Sequence, residues 1–272
     1  MIAGSLLESI HRTINSLYQG PVRTVAVRTG IHSILRDLYG RSIVALFDDV
    51  QVRKVGNTTV VYDTTDYSAW NRQRDFQGEI PVMTRFAEDV ADASVVWDVG
   101  ANMGTYACLA GKAAEDVTVV TFEPAPENVA RLKRNLDLNN IKSIIQEKAL
   151  DETNGEMWLS SDQNGDGQYS LTDNNRGSRV TTAEADRLVE QNIVPHPSVV
   201  KIDVEGSELR VLEGMRTILQ DINYLYLEIH PSKITDYGGN VHEIEEILSD
   251  SGLKHKKIYE RGSEYFLRAQ RS

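Results

Sequence analysis

From Val95 onward, short apolar runs alternate with longer stretches in which apolar residues recur every three or four positions. SVVWDVG, VTVVTFEP, SIIQEKAL, SVVKIDVEG and YLYLEIHP read as strands. TYACLAGKAA, PENVARLKRNLDLNN, ELRVLEGMRTILQ and VHEIEEILSDSG read as helices. Such alternation predicts an α/β fold, a mostly parallel sheet with helices on both faces. KHKKIYE and SEYFLRAQ, joined through Arg261-Gly262, predict a C-terminal hairpin that gives the sheet an antiparallel edge. Upstream, SIVALF and TTVVYD read as strands around the turn Lys54-Val55-Gly56-Asn57. In open sheets of this type ligands bind beyond the carboxyl ends of the strands, at the topological switch point.

Before residue 42 the pattern differs. Ile2, Leu6, Leu7, Ile10, Ile14, Leu17 and Tyr18 fall at helical spacing, with Pro21 as the expected stop. Ile31, Ile34, Leu35, Leu38 and Tyr39 predict a second, shorter helix. Residues 1–41 hold five Arg against Glu8 and Asp37, a charge of +3, whereas the rest of the chain carries -14. Two units are therefore expected, a basic amphipathic helical segment 1–41 and a catalytic domain 42–272. The favoured role of the segment is packing on its own domain or on a second subunit, as in a homodimer. Peripheral contact with an anionic membrane is the alternative.

Composition narrows the classes. The 272 residues are 40% hydrophobic and 25% charged, an ordinary globular balance. A net charge of -11 argues against broad nucleic-acid binding. Arg outnumbers Lys by 19 to 10, which with the acidic surface fits a salt-adapted source. The single cysteine, Cys108, excludes an internal disulfide and a cysteine-based zinc site, and reads as a small core residue. No apolar run spans a membrane and no signal-peptide core is present, so a cytoplasmic, at most membrane-peripheral, location is expected.

The polar residues collect at the strand ends. In DVGANMGTY, Asp98 ends a strand, and Gly100 and Gly104 leave room for a ligand before a helix begins. Glu123 in TFEP ends the next strand, where an acid can accept both hydrogen bonds of a ribose diol. The spacing lacks the G-x-G-x-x-G of a pyrophosphate binder and there is no Walker lysine. A nucleoside carrying a positive sulfur suits these acidic ends better than a dinucleotide.

The blocks DVGANMGTY, FEPAPENVARLKRNLDLNN, KIDVEGSELRVLEG and LYLEIHP, in this order over about Val95 to Pro231, resemble the FkbM-like family. These are class I methyltransferases that use S-adenosylmethionine (SAM). The resemblance implies a Rossmann-like, seven-stranded sheet and methyl transfer, mostly to hydroxyl oxygens of sugars or related products, with carboxyl oxygens as a variant. It also implies that Asp98, Gly100 and Asn102 line the methionine end, that Glu123 holds the ribose, and that Ala149 and Leu150 border the adenine. Glu79 in GEIP is similar to the acid that precedes the first motif and is expected to face the cofactor.

Acceptor activation has several candidates. Lys201, Asp203 and Glu205 alternate along KIDVEG, and Glu228 and His230 along LEIHP. His230 beside a carboxylate suits a general base. Asp203 and Glu228 would equally hold a divalent cation, so metal dependence stays open and no metal ligands are assigned. A plain ion pair, Lys201 with Glu228, is the structural alternative. Tyr67, Trp70 and Arg72 in DYSAWNRQRDF either cap the substrate or form a packed loop. DQNGDGQYSLTD, Asp162 to Asp173, imitates a calcium loop, but Asp replaces the usual last Glu and turn chemistry accounts for it. The reading is a SAM-dependent O-methyltransferase acting on a sugar, glycan or related natural product. The second reading is a non-catalytic calcium- or carbohydrate-binding module on the same fold.

Overall fold

The computed structural model describes residues 28–29, 38–40, 42, 44–45, 48–161, 169–172 and 177–271. Most of segment 1–41, and residues 162–168 and 173 of the calcium-like stretch, lie outside the described residues. Ser42 and Val44 are helical, so SIVALF does not form the expected strand there. The first strand is instead β1 (Val50–Val55), paired antiparallel with β2 (Thr58–Asp63) across the Gly56-Asn57 turn. The Tyr67, Trp70 and Arg72 segment is helix α1 (Tyr67–Asp75), not a loop. A 3-10 turn (Phe76–Glu79) then leads into α2 (Ile80–Val90).

The alternating region folds as its pattern dictates. It runs β3 (Val95–Val99), α3 (Thr105–Ala113), β4 (Thr118–Phe122), α4 (Pro126–Leu138) and β5 (Ser143–Gln146). The later half adds β10 (Val199–Ile202), α6 (Glu208–Glu213), β11 (Tyr224–Ile229), α7 (Pro231–Asp236), α8 (Val241–Asp250), β12 (Leu253–Arg261) and β13 (Glu264–Arg271). Seven strands form one sheet in the order β12-β13-β11-β10-β3-β4-β5. The five strands from β11 to β5 are parallel. Strands of such a sheet are buried on both faces, and the two faces divide accordingly. Trp97, Val99, Phe122 and Leu227 enter one core with Leu212 and Leu248, whereas Val96, Val119 and Tyr226 enter the other with Phe86 and Leu109.

Two features depart from expectation. The hairpin forms, but β13 is antiparallel to both neighbours and lies between β11 and β12. The edge strand β12 therefore runs parallel to β11, and the antiparallel strand is interior. SIIQEKAL is also not one strand. After β5 the chain leaves the large sheet, and β6 (Ala149–Leu150) pairs with β9 (Ser178–Ala183). With β7 (Gly155–Ser161) and β8 (Tyr169–Thr172) this makes a second, four-stranded sheet, order β6-β9-β7-β8. Helix α5 (Ala185–Glu190) leads back to the main sheet. The described end of the calcium-like stretch is thus strand β8. Among the described residues no helix is long and apolar enough to cross a membrane.

Candidate active site

The chain runs outward from β3 through β4 to β5, then returns to place β10 on the other side of β3. The switch point lies between β3 and β10, where Asp98 and Lys201 are register partners. Register partners in a parallel pair share a face, and Lys201 Nζ stands 3.7 Å from Asp98 Oδ1 and 3.3 Å from Asp203 Oδ2. The Lys201 ammonium also lies 5.0 Å from the centre of the Tyr106 ring, and the ion pairs it makes are with Asp98 and Asp203, so the alternative of a plain Lys201–Glu228 pair is not what forms among the described residues. Burial opposes the charge on Lys201, but Asp203, Asp98 and Glu228 outweigh it and hold its pKa above the ordinary lysine value.

Asp98 serves the fold. It is buried, and its Oδ2 accepts a 2.8 Å bond from the Ala107 N–H in the first turn of α3. It lines neither cavity described below. The glycines also make room for the chain itself. Gly100 has φ 74, and a Cβ there would overlap the backbone carbonyl of Asp203. At Gly104, φ 82, a Cβ would meet Leu132. Gly100 does border both cavities, through its backbone, but the expected ligand space at Gly104 is filled by a leucine.

Glu123 ends β4 and is fixed from two directions. Its Oε2 accepts from the Asn102 N–H and its Oε1 from the Ala125 N–H, both at 2.8 Å. Asn102 holds φ 50 to present that N–H. Burial raises the Glu123 pKa to about 7, against the pull of those N–H groups. Glu123, Gly100 and Asn102 line a cavity with Phe122, Ala149, Leu150, Leu159 and Leu171. Ala149 and Leu150 thus border this space from the second sheet, not from the end of the third strand. Leu159 and Leu171 come from the same sheet and add to the apolar lining.

Beside it lies a larger cavity of about 440 Å3. Glu79, Tyr106, Lys201, Asp203, Glu205, Glu228, Arg261 and Arg72 line it, and Arg72, Gly100, Asn102, Asp203 and Glu205 border both spaces. Glu79, at the end of the 3-10 turn, is 3.1 Å from Arg261 Nη1 and 3.5 Å from the Tyr106 hydroxyl. Burial and Asp203 raise its pKa, and Arg261 opposes them. Strand β10 ends at Ile202, and Glu205 takes a left-handed φ of 55. Strict alternation therefore does not carry Lys201, Asp203 and Glu205 to one face; a turn does. Glu228 pairs with Arg261 Nη2 at 3.3 Å. Its burial, with Asp203 and Glu79 nearby, pushes its pKa up to about 9. Asp203 is held down at about 2, since Lys201, His230 and Arg72 outweigh its burial.

His230 caps the end of β11 without lining either cavity. Its Nδ1 is 2.7 Å from Glu208 Oε1, and its Nε2 faces Glu205 Oε2 at 3.4 Å and Asp203 Oδ1 at 4.0 Å. Burial lowers its pKa, but the Glu208 hydrogen bond and the charges of Asp203, Glu208 and Glu205 prevail and lift it to about 9. Glu208 and Arg261 were not singled out from the sequence. Glu208 reads as an ordinary acid at a helix start, and Arg261 as an ordinary turn residue.

The donor set fits SAM. Glu123 keeps lone pairs for a ribose diol, the apolar wall suits adenine, and the acidic groups of the larger cavity suit a sulfonium. Fold and site together define a class I SAM-dependent methyltransferase. The chain belongs to the FkbM methyltransferase family, for the Methyltransferase FkbM domain matches residues 98–257. It is 35% identical over 184 residues to the hexuronic acid methyltransferase AglP of Haloferax volcanii, covering 67% of this chain and 72% of that one. It is 25% identical over 202 residues to the 31-O-demethyl-FK506 methyltransferase FkbM of Streptomyces tacrolimicus, covering 62% and 76%. Among solved structures it is similar to methyltransferase FkbM from Methylobacillus flagellatus KT, with TM-score 0.46, 17% identity, and coverage of 75% of this chain and 53% of that one.

Proposed function

We propose that this chain transfers the methyl group of SAM to an oxygen of a sugar acceptor of the hexuronic acid class. The observation that carries the reading is the junction at Asp203, which directly follows β10 and, with Glu205, borders both the Glu123 cavity and the larger one. The name of the AglP relative supports the acceptor class. When bound, SAM supplies an electrophilic methyl on a positively charged sulfur.

The residues divide the remaining work. Glu123 accepts from the ribose hydroxyls, and Leu150, Leu159 and Leu171 exclude water around the base. Lys201 balances Asp98 and Asp203 and so fixes the Asp203 carboxylate at the junction. Asp203, kept ionised, holds the acceptor oxygen in line. Arg72 and Arg261, the latter 45% exposed, stand on the larger cavity for the sugar carboxylate. His230 acts from behind Asp203 and Glu205 and does not touch the acceptor. The family and the paired cavities give no support to a non-catalytic module. The test is mass spectrometry of hexuronic acid oligosaccharides incubated with the protein and methyl-labelled SAM. Label on the uronic acid residue is expected; label only on neutral sugars would overturn the acceptor class.

A further inference from the structure

We propose that Asp203, Glu228 and His230 form a binding site for one divalent cation of the Mn2+ type, at the floor of the acceptor cavity. The three side chains each offer one donor atom, and these atoms lie within 4.8 Å of one another. In each, the other polar atom is already engaged by a group outside the trio. Asp203 Oδ2 meets Lys201 at 3.3 Å, while Oδ1 is the oxygen that faces His230. Glu228 Oε1 meets Arg261 at 3.3 Å, leaving Oε2. His230 Nδ1 is bound to Glu208 at 2.7 Å, leaving Nε2.

His230 supplies the observation that lifts this above a cluster of acids. His230 is 2% exposed, its hydrogen bond to Glu208 uses Nδ1, and Nε2 has only the looser ion-pair neighbours Glu205 and Asp203. Glu205 Oε2, at 3.4 Å, is an ion-pair neighbour only, and its own partner is Lys233. A buried imidazole whose free donor atom lies within 4.8 Å of two carboxylate oxygens, with its other nitrogen fixed by a third carboxylate, is an arrangement in which a histidine can ligate metal. Glu208 is that fixing group, and it explains a fully buried acid the transfer reaction does not otherwise need. One imidazole with two carboxylates suits Mn2+ or a similar borderline ion; Ca2+ takes oxygen ligands. Asp203 and Glu228 line the cavity, so the ion's remaining positions face the acceptor. There it would bind the acceptor oxygen and lower the pKa of a hydroxyl. Only this catalytic role rests on the proposed function; the ion's binding does not.

The experiment titrates Mn2+ into the metal-stripped full chain and follows it by electron paramagnetic resonance, with spin-echo detection of nitrogen coupling. One ion per chain with a 14N coupling is expected, and at least tenfold weaker binding in Asp203→Asn, Glu228→Gln and His230→Ala. The wild-type coupling decides the matter even if a variant fails to fold. No binding at millimolar Mn2+, or a bound ion without nitrogen coupling, would overturn the site. For the role, chelation is expected to slow methyl transfer at least tenfold, reversibly with Mn2+, and to leave SAM affinity unchanged. A rate indifferent to the chelator while the ion binds would overturn the role alone. Failure to methylate uronic acids, with Mn2+ bound and coupled to nitrogen, would count against the acceptor reading and support the site.

Discussion

Glu123 is a carboxyl buried beside two backbone N–H donors, with its pKa raised to about 7. Below that pH it is protonated and loses an acceptor for the ribose. SAM affinity should therefore fall as pH drops through 7, approaching tenfold per pH unit as one proton must leave on binding. Calorimetric titrations across that range should show the slope in the wild type and a flat profile in Glu123→Gln. The variant should bind SAM more weakly above pH 7 by about 1.5–3 kcal/mol, the value of a charged hydrogen bond. The sign for the free protein is opposite. An acid whose folded pKa exceeds its unfolded one holds extra protons in the fold, so this contribution to stability is present at acid pH. It declines as pH rises from the ordinary carboxyl value to about 7. At this scale Glu123 and Asp203 were legible because strand ends mark them, and Glu79 only through the family resemblance. Arg261 was not, since its partners Glu79 and Glu228 lie far away in sequence and only the sheet order brings them together.

At the scale of elements, β3 and β10 meet so closely that Gly100 tolerates no side chain. Gly100→Ala must move the Asp203 loop and also holds φ 74, an energetic penalty for any residue with a Cβ. A loss of about 2–4 kcal/mol in urea unfolding and at least tenfold weaker SAM binding are expected. A fully stable, SAM-binding variant would mean the junction is looser than described. Asp98→Ala should also cost stability, by about 1–3 kcal/mol, because it removes one of the two carboxylates paired with the buried Lys201 and leaves the Ala107 N–H of the first turn of α3 without its acceptor. Comparison of its chevron or melting curve with that of Glu123→Gln, which should unfold near normally, separates a scaffold role from a ligand role. The strands and helices of the main sheet were legible from periodicity. The break between Gln146 and Ala149 was not, because SIIQEKAL reads as one strand and only pairing with Thr182-Ala183 takes its end away. The place of β13 was hidden for a similar reason: a hairpin pattern sets pairing within itself but not which strand faces β11.

At the scale of the whole molecule, the two sheets and the segment before β3 close around one pair of cavities. Glu79 and Arg72 come from the upstream segment, Leu159 and Leu171 from the second sheet, and Arg261 from the hairpin. A ligand that bridges these parts should stabilise all of them together. S-adenosylhomocysteine at one hundred times its dissociation constant should add about 2.7 kcal/mol, a rise in melting temperature of about 5–11 °C for a protein of this size. The alternation of strand and helix foretold the main sheet and its ligand end, whereas the cavity walls, drawn from four regions of chain, were beyond a reading made along the sequence. The most direct test of the account is a crystal structure with S-adenosylhomocysteine. The account predicts the ribose hydroxyls on Glu123, the base against Leu150, Leu159 and Leu171, and the sulfur turned toward Asp203. Nucleoside density in the larger cavity instead, with Glu123 untouched, would contradict it.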